Sequence, residues 1–552
     1  MDYKNDPMAL QTNLVKNLPD VQETARTSWK LRVPHVMNLF VLTLVFAAGI
    51  GIGTWMSDGR ESNKDDMQVV RETAESSLVA QAGGQCPHRD CTFFSNQVPC
   101  YHWTPQGILA MEIDLAQADT YWVSSNGTMV NHGYQTLDTS TEQLHEIEWV
   151  PVPWFGTDIL LLSCFSSGTI IEVKGVSRVH SEAGEVMKTR QGLRHMAENA
   201  SLSITHYRIE GIFGKSPHAV VLTKKHGKKF FVGIQAENAI AVVTLPDYKV
   251  KTIWKVPIPE DVTMSAGGDL HGLCEDSQGH LWFVLKNARY KTLSGKSGMG
   301  MVGRLCSPLN PVCAKGERWT LYRFSDLSPS GKEAIPFFIR ADPQGRYVWF
   351  NSVASDEVGL VDTEAEEPVP KIISLPELNY NWHTLSGMRP GGISVLKSGN
   401  ALVSLYNQLG KLAHVTTDGN VTYKDIAVKG EKRSAFLHIS ASDEVLKGGK
   451  GSVVLTGSSN DFMSDDLGPD FKLVNQSWLD IQKSEQQDYL RVLTNFDGEK
   501  IEWQGHKDVN APTQISWLHR TLQIFPYSSG KYSMFATTEL RTVRLLVSFV
   551  PK

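Results

Sequence analysis

A unit of about 50 residues recurs along the chain, and no other feature limits its possible folds so tightly. The unit opens with Pro-x-Gly/Ala-Ile/Val, then runs through a short strand, a glycine-containing turn and an aromatic pair. After a polar turn it ends in a Gly-Arg-Leu-like strand. The clearest copy reads Leu270-His271-Gly272-Leu273, Ser277-Gln278-Gly279, Leu281-Trp282-Phe283-Val284 and Val302-Gly303-Arg304-Leu305. A second opens at Pro336-Phe337-Phe338-Ile339 and continues through Asp342-Pro343-Gln344-Gly345, Val348-Trp349-Phe350-Asn351 and Val358-Gly359-Leu360-Val361. A third runs from Pro390-Gly391-Gly392-Ile393 through Ala401-Leu402-Val403-Ser404 to Leu409-Gly410-Lys411-Leu412. Weaker copies begin at Pro105-Gln106-Gly107-Ile108, Pro217-His218-Ala219-Val220, Leu437-His438-Ile439 and Pro512-Thr513-Gln514-Ile515. A small sheet cannot bury both of its faces alone, so units of this period stack around an axis and close into a ring. The expected fold class is all-β, a β-propeller with six to eight blades and seven as the choice, preceded by one N-terminal transmembrane helix.

That helix is expected at residues 33–57, which contain no Asp, Glu, Lys or Arg. At about 1.5 Å per residue the stretch is long enough for a bilayer core. A cleaved signal peptide has an apolar region of only about 7–15 residues nearer the N-terminus, so the signal-anchor reading is preferred. Arg26, Lys30 and Arg32 precede the span, and a net acidic segment follows it, which keeps the N-terminus cytosolic. The expected organisation is a cytosolic tail at 1–32, the anchor at 33–57, a polar stalk at 58–85 and a propeller at 86–552. The protein is then a single-pass type II membrane protein with its head in the secretory lumen or outside the cell.

Composition fits a soluble head on one anchor: of 552 residues, 41% are hydrophobic and 20% charged. A net charge of -5, with no basic run longer than a Lys-Lys pair, excludes nucleic acid as the main partner. Sequons at Asn126, Asn199, Asn420 and Asn475 all fall on the luminal side, consistent with a glycoprotein. Of seven cysteines, Cys306/Cys313 and two of Cys86, Cys91 and Cys100 are disulfide candidates in an oxidising compartment, and at least one thiol is left over. The spacing of Cys86, His88, Cys91, Cys100 and His102 also suits zinc, with disulfide formation favoured.

The Pro-x-Gly-Ile, Gly-x-Leu-Trp-Phe and Gly-Arg-Leu series resembles the blade signature of streptogramin B lyase-type propellers, relatives of the gluconolactonase-type propellers. The resemblance covers roughly residues 210–420. It implies ring opening of a cyclic depsipeptide by elimination, with a histidine of a Pro-His-Ala-Ile segment as base and a divalent metal near a glutamate. Pro217-His218-Ala219-Val220 matches the histidine segment, and His271 takes the same relative place one blade later. The glutamate does not carry over: the places after the aromatic pairs hold Gly233, Leu285 and Ser352. The cofactor is therefore unknown, and no metal is assigned.

His218 and His271 are the candidate catalytic pair, with His438 as a third member, since imidazole titrates near neutral pH and inner strands face a propeller's channel. The plain alternative is that they line the channel and bind water. Asp269 either orients His271 or closes a turn, the turn being preferred; Trp282, Phe283, Trp349 and Phe350 are expected to pack between sheets. No Gly-x-Ser-x-Gly elbow, Walker loop or His-Glu-x-x-His is present, which removes the common hydrolase, nucleotide and zincin mechanisms. The expectation is a membrane-anchored luminal enzyme of lyase or cyclase type on a small organic substrate in secondary metabolism. The alternatives are a propeller that binds a glycan or protein, and a lactonase-type hydrolase.

Overall fold

The computed structural model describes residues 100–103, 109–137, 144–150, 152–176, 202–306, 309, 313, 318–376, 388–407, 409–427, 435–458, 488–510, 517–529, 532–540 and 543–551. The chain divides into Met1–Ala74 and Glu75–Lys552, and every described residue belongs to the second unit. The expected tail, anchor and stalk lie outside the described residues, as do Cys86, His88 and Cys91. No helix among the described residues is long and apolar enough to cross a membrane; the helices there include the single turns Val152–Phe155, Phe324–Leu327 and Asp443–Leu446.

Among the described residues strands dominate, and they form seven sheets. The first strands of these sheets are Leu144–Val150, Pro217–Leu222, Leu270–Glu275, Pro336–Ala341, Pro390–Val395, Ala435–Ala441 and Trp517–Ser529. Each touches the next, and the last touches the first, so they line a closed ring. In the second to sixth sheets the remaining strands extend outward as an antiparallel meander, and the inner strands of the first and last sheets follow the same order, giving a β-propeller.

The last sheet closes the ring with both ends of the propeller sequence. Trp517–Ser529, Tyr532–Leu540 and Arg544–Pro551 are followed outward by Leu109–Asp114 and Cys100–Trp103, with Leu109 opposite Phe549 and Asp114 opposite Arg544. This corrects one expectation: the strand after Pro105–Ile108 is not the inner strand of a blade but the fourth strand of the closing sheet. The first sheet opens instead at Leu144. Outside its four-strand meander it carries Gln117–Val123, parallel to Ser203–Ile209, and the exposed edge strand Met129–Thr136.

The repeated sequence signature has a packing cause. Phe283 pairs with Gly303 and Phe350 with Gly359, and in each case the ring occupies the space a Cβ would need. Trp282, Phe283, Trp349 and Phe350 are fully buried between sheets, as expected. The tight turn after the third inner strand is an Asp-x-x-Gly turn: Asp276 Oδ1 accepts the Gln278 and His280 N–H groups at 2.9 Å, and Gly279 takes φ +79°.

Both faces of a sheet are covered, which is why strands read as unbroken apolar runs. In Ile159–Cys164, Leu160 and Leu162 join a core with Leu545 and Val547 of the closing sheet. Ile159 and Leu161 face the other way, into a core with Phe230 and Val232 of the second sheet. Burial on both faces in turn around the ring, rather than one central core, holds the molecule together.

Candidate functional site

In the first five sheets the ladder between the first and second strands slips by one residue at the same place. Leu144, Pro217, Leu270, Pro336 and Pro390 pair normally, and pairing resumes three residues later at Ile147, Val220, Leu273, Ile339 and Ile393. The two residues between bulge out of the ladder, and bulges of this kind re-aim side chains. Those residues are His145-Glu146, His218-Ala219, His271-Gly272, Phe337-Phe338 and Gly391-Gly392.

Three imidazoles on consecutive sheets meet there. The ring centroids of His145 and His218 are 3.8 Å apart, those of His218 and His271 3.8 Å, and His271 lies 3.7 Å from Phe337. Phe165 borders the arc, 5.0 Å from His145 and 5.9 Å from His218. His438, from the sixth sheet, is 4.7 Å from Phe338, so it joins the same ring of aromatic groups from the far side of the phenylalanines. The three rings of the arc are 8%, 2% and 4% exposed, and His438 is 8% exposed. His271 Nδ1 lies 2.9 Å from the Phe337 carbonyl. A carbonyl only accepts, so Nδ1 carries the proton and the lone pair of the neutral ring sits on Nε2.

Polar residues on the second strands hold the bulges in place. Ser163 Oγ accepts the Glu146 N–H at 3.0 Å and donates to the His218 carbonyl at 2.7 Å, joining the first sheet to the second. Asn351 Oδ1 accepts the Phe337 and Phe338 N–H groups, while Nδ2 donates to the Pro390 and Gly391 carbonyls at 2.6 and 2.9 Å. Asp269 closes a turn, as expected, accepting the Ser265 N–H at 2.8 Å.

The inner strands beside the imidazoles also carry charge. Arg340 of the fourth inner strand reaches Glu146 of the first, 3.4 Å between Nη2 and Oε2, a contact spanning 194 residues of sequence. Burial raises the Glu146 carboxyl, against the lowering pull of Arg340. Glu148, two residues on, is half-buried. Loss of solvent pushes it up to about 8, against the attraction of Lys224 and Arg340. Cys274, on the third inner strand, is a buried free thiol pushed upward by burial, and so an unreactive one.

Sequence reasoning missed His145, Glu146, Glu148 and Arg340. Leu144-His145-Glu146-Ile147 parallels Leu270-His271-Gly272-Leu273, and that likeness is the available signal for His145. The divalent metal that the resemblance implied is not matched by these residues. The channel imidazoles meet ring against ring, and the described group whose ligand atoms converge lies elsewhere, at His280, Cys306 and Cys313. Cys306 and Cys313 form a disulfide, and Cys164 and Cys274 are buried outside it. Sequons Asn126 and Asn420 sit exposed in turns, while Asn199 and Asn475 lie outside the described residues.

No protein-family model matches the chain, and no curated protein matches it. Among solved structures it is similar to streptogramin B lyase at 12% identity and a TM-score of 0.41, over 75% of this chain and 99% of that one. A luciferin-regenerating enzyme is similar at 12% identity and 0.36, over 66% and 95%. The Swd1 beta-propeller domain of Myceliophteria thermophila is similar at 9% identity and 0.39, over 74% and 99%. Likenesses this slight carry no argument of their own, and the β-propeller rests on the cyclic order of its sheets.

Proposed function

We propose that this chain is a membrane-anchored enzyme whose seven sheets are seven blades, and that the bulge residues at the mouth of its channel perform lyase or cyclase chemistry on a small organic molecule. The observation that carries the reading is the arc of His145, His218 and His271, set above two carboxyls and one guanidinium. A neutral imidazole takes a proton from carbon, and Arg340 balances the negative charge that develops. Glu148, held protonated, gives a proton to the departing oxygen, and the electrons of the broken C–H bond form the new double bond. Phe165, Phe337 and Phe338 supply apolar walls for such a substrate. The anchor at 33–57, the luminal head and glycans at the sequons belong to the same reading.

Burial of the three rings favours a second reading, in which they pack as a plug and the propeller binds a glycan or protein at its rim. Comparative metabolite profiling separates the two. A deletion strain should accumulate a substrate, and strains carrying His218→Ala or His271→Ala at wild-type protein level should accumulate the same compound. Variants that restore the wild-type profile sink the enzymatic reading. Protease digestion of the head in sealed microsomes would sink the topology.

A further inference from the structure

On the outside of the ring, the fifth and sixth sheets frame a surface cleft of about 280 Å³. Its walls are Lys424, from the outermost strand Val421–Asp425 of the fifth sheet, and Lys450, Asn495, Glu502, Trp503 and Gln504 of the sixth. Trp503 is half-buried at the margin of the core between these sheets, nearly parallel to the fully buried Phe496 with ring centroids 6.2 Å apart. That contact fixes the indole while part of it stays open to solvent, and the Lys424 ammonium stands over the ring at 5.9 Å. The other five lining residues are exposed.

The backbone brings the amides to the indole. Gly451 pairs with Phe496 and Val453 with Leu493, so Thr494 and Asn495 together oppose Ser452 and bulge from the ladder. Asn495 takes φ +51°, in the left-handed region that asparagine tolerates better than most residues. Gln504 follows Trp503 directly, and its N–H donates to the Thr494 carbonyl at 3.2 Å.

We infer that this cleft is a binding site for an acidic sugar, a pyranose ring that carries one carboxylate. An indole face is apolar and electron-rich, and it takes the C–H face of a sugar ring by dispersion and by attraction of the slightly positive hydrogens. Asn495, Gln504 and Glu502 suit adjacent ring hydroxyls: a carboxylate accepts two of them at once, and an amide both donates and accepts. Two ammoniums and one carboxylate leave the lining with one positive charge, a match for a single carboxylate rather than for a phosphate ester of charge about −2. The volume lies just under the range of about 300–1,000 Å³ usual for small-ligand clefts, so a terminal sugar fits and a folded protein segment does not. Lys424 stands on the fourth strand of its sheet, three strands out from the inner one. The cleft is therefore separate from the histidine arc, and its failure leaves both readings of the channel as they stand.

Saturation-transfer NMR on the full chain in detergent micelles tests the inference. The probes are methyl glucuronide, methyl galacturonide and methyl N-acetylneuraminide, with methyl glucoside and glucose 1-phosphate as controls. At least one acidic sugar should receive saturation on the hydrogens of one ring face, and the neutral glucoside should bind about 10-fold more weakly for want of a charge-assisted hydrogen bond. Trp503→Ala should abolish the transfer and Trp503→Phe should keep part of it. Lys424→Gln and Lys450→Gln should each weaken the acidic sugar about 10-fold and leave the weak binding of the glucoside unchanged, a split that general loss of folding does not give. Absence of transfer to all three acidic sugars overturns the proposal, and so does equal transfer in the wild-type and Trp503→Ala chains. Displacement of the sugar by equimolar acetate, or tighter binding of glucose 1-phosphate, would reveal a plain anion site and overturn it as well.

Discussion

The ring of inner strands has two arcs built on one backbone pattern. On the first three sheets the bulge carries His145, His218 and His271; on the fifth the same slip in register carries Gly391 and Gly392. The difference is steric as much as chemical. A Cβ on Gly392 would stand 2.8 Å from the Ile439 nitrogen, and one on Gly391 2.5 Å from the Leu437 carbonyl oxygen, so the glycines let the fifth and sixth sheets approach backbone to backbone. One arc uses the bulge to present side chains and the other to remove them. A repeated scaffold thus becomes asymmetric, and in the proposed function that asymmetry sets where the chemistry takes place.

The comparison breaks most sharply on the histidine side. His218→Ala and His271→Ala should each lower turnover by about 10²–10⁴-fold, as loss of a proton-transfer group does, while still unfolding cooperatively at a somewhat lower temperature for the buried contacts removed. Equal turnover in both would erase the functional distinction between the arcs. Next in size, Asn351→Ala strands four backbone groups that it now satisfies at the junction of the fourth and fifth sheets. It should cost about 3 kcal/mol or more in chemical denaturation, since each buried unpaired group costs about 1–3 kcal/mol.

Gly392→Ala should cost about 1–3 kcal/mol through overpacking while leaving turnover near wild type, which sharpens the contrast with the imidazoles. A loss of turnover with full stability would show that the glycine arc takes part. A further effect is on pH dependence. Glu148 is raised from 4.5 to about 8 in the folded chain, so its contribution to stability is full below about pH 4.5 and is lost as pH rises through about 8. His206 runs the other way: burial lowers it to about 4, against its bond to the Leu115 carbonyl, so its contribution is present above about pH 6.5 and is lost as pH falls through about 4. Glu148→Gln should flatten the alkaline side of a stability–pH curve and leave the acid side alone.

Much of the fold was legible because its causes are local. Phe283 over Gly303, the Asp276 turn and the paired Trp-Phe positions all leave marks within one repeat, and the repeats can be compared by eye. The first blade was missed since Leu144-His145-Glu146-Ile147 has no opening proline and its meander is split from the strands that precede it in sequence. Of the candidate site, His218, His271 and His438 were legible from their repeat positions. Glu146 and Arg340 were not, because a contact across 194 residues exists only after the ring has closed. Asn351 was visible as the end of Val348-Trp349-Phe350-Asn351, but its role depends on bulges that no single repeat reveals.

The closing sheet also sets a timetable for biosynthesis. Leu109–Asp114 is translated first and pairs with Arg544–Pro551, which is translated more than 400 residues later. At about 5–20 residues per second, the ribosome keeps the early strand waiting for roughly twenty seconds or more. Through that interval the growing array of sheets has open edges, which chaperones must shield from other chains. A stop codon or a frameshift just before Arg544 would then leave six finished sheets and no fastening, so damage within the codons of the closing strands should be as harmful to folding as damage to any inner strand.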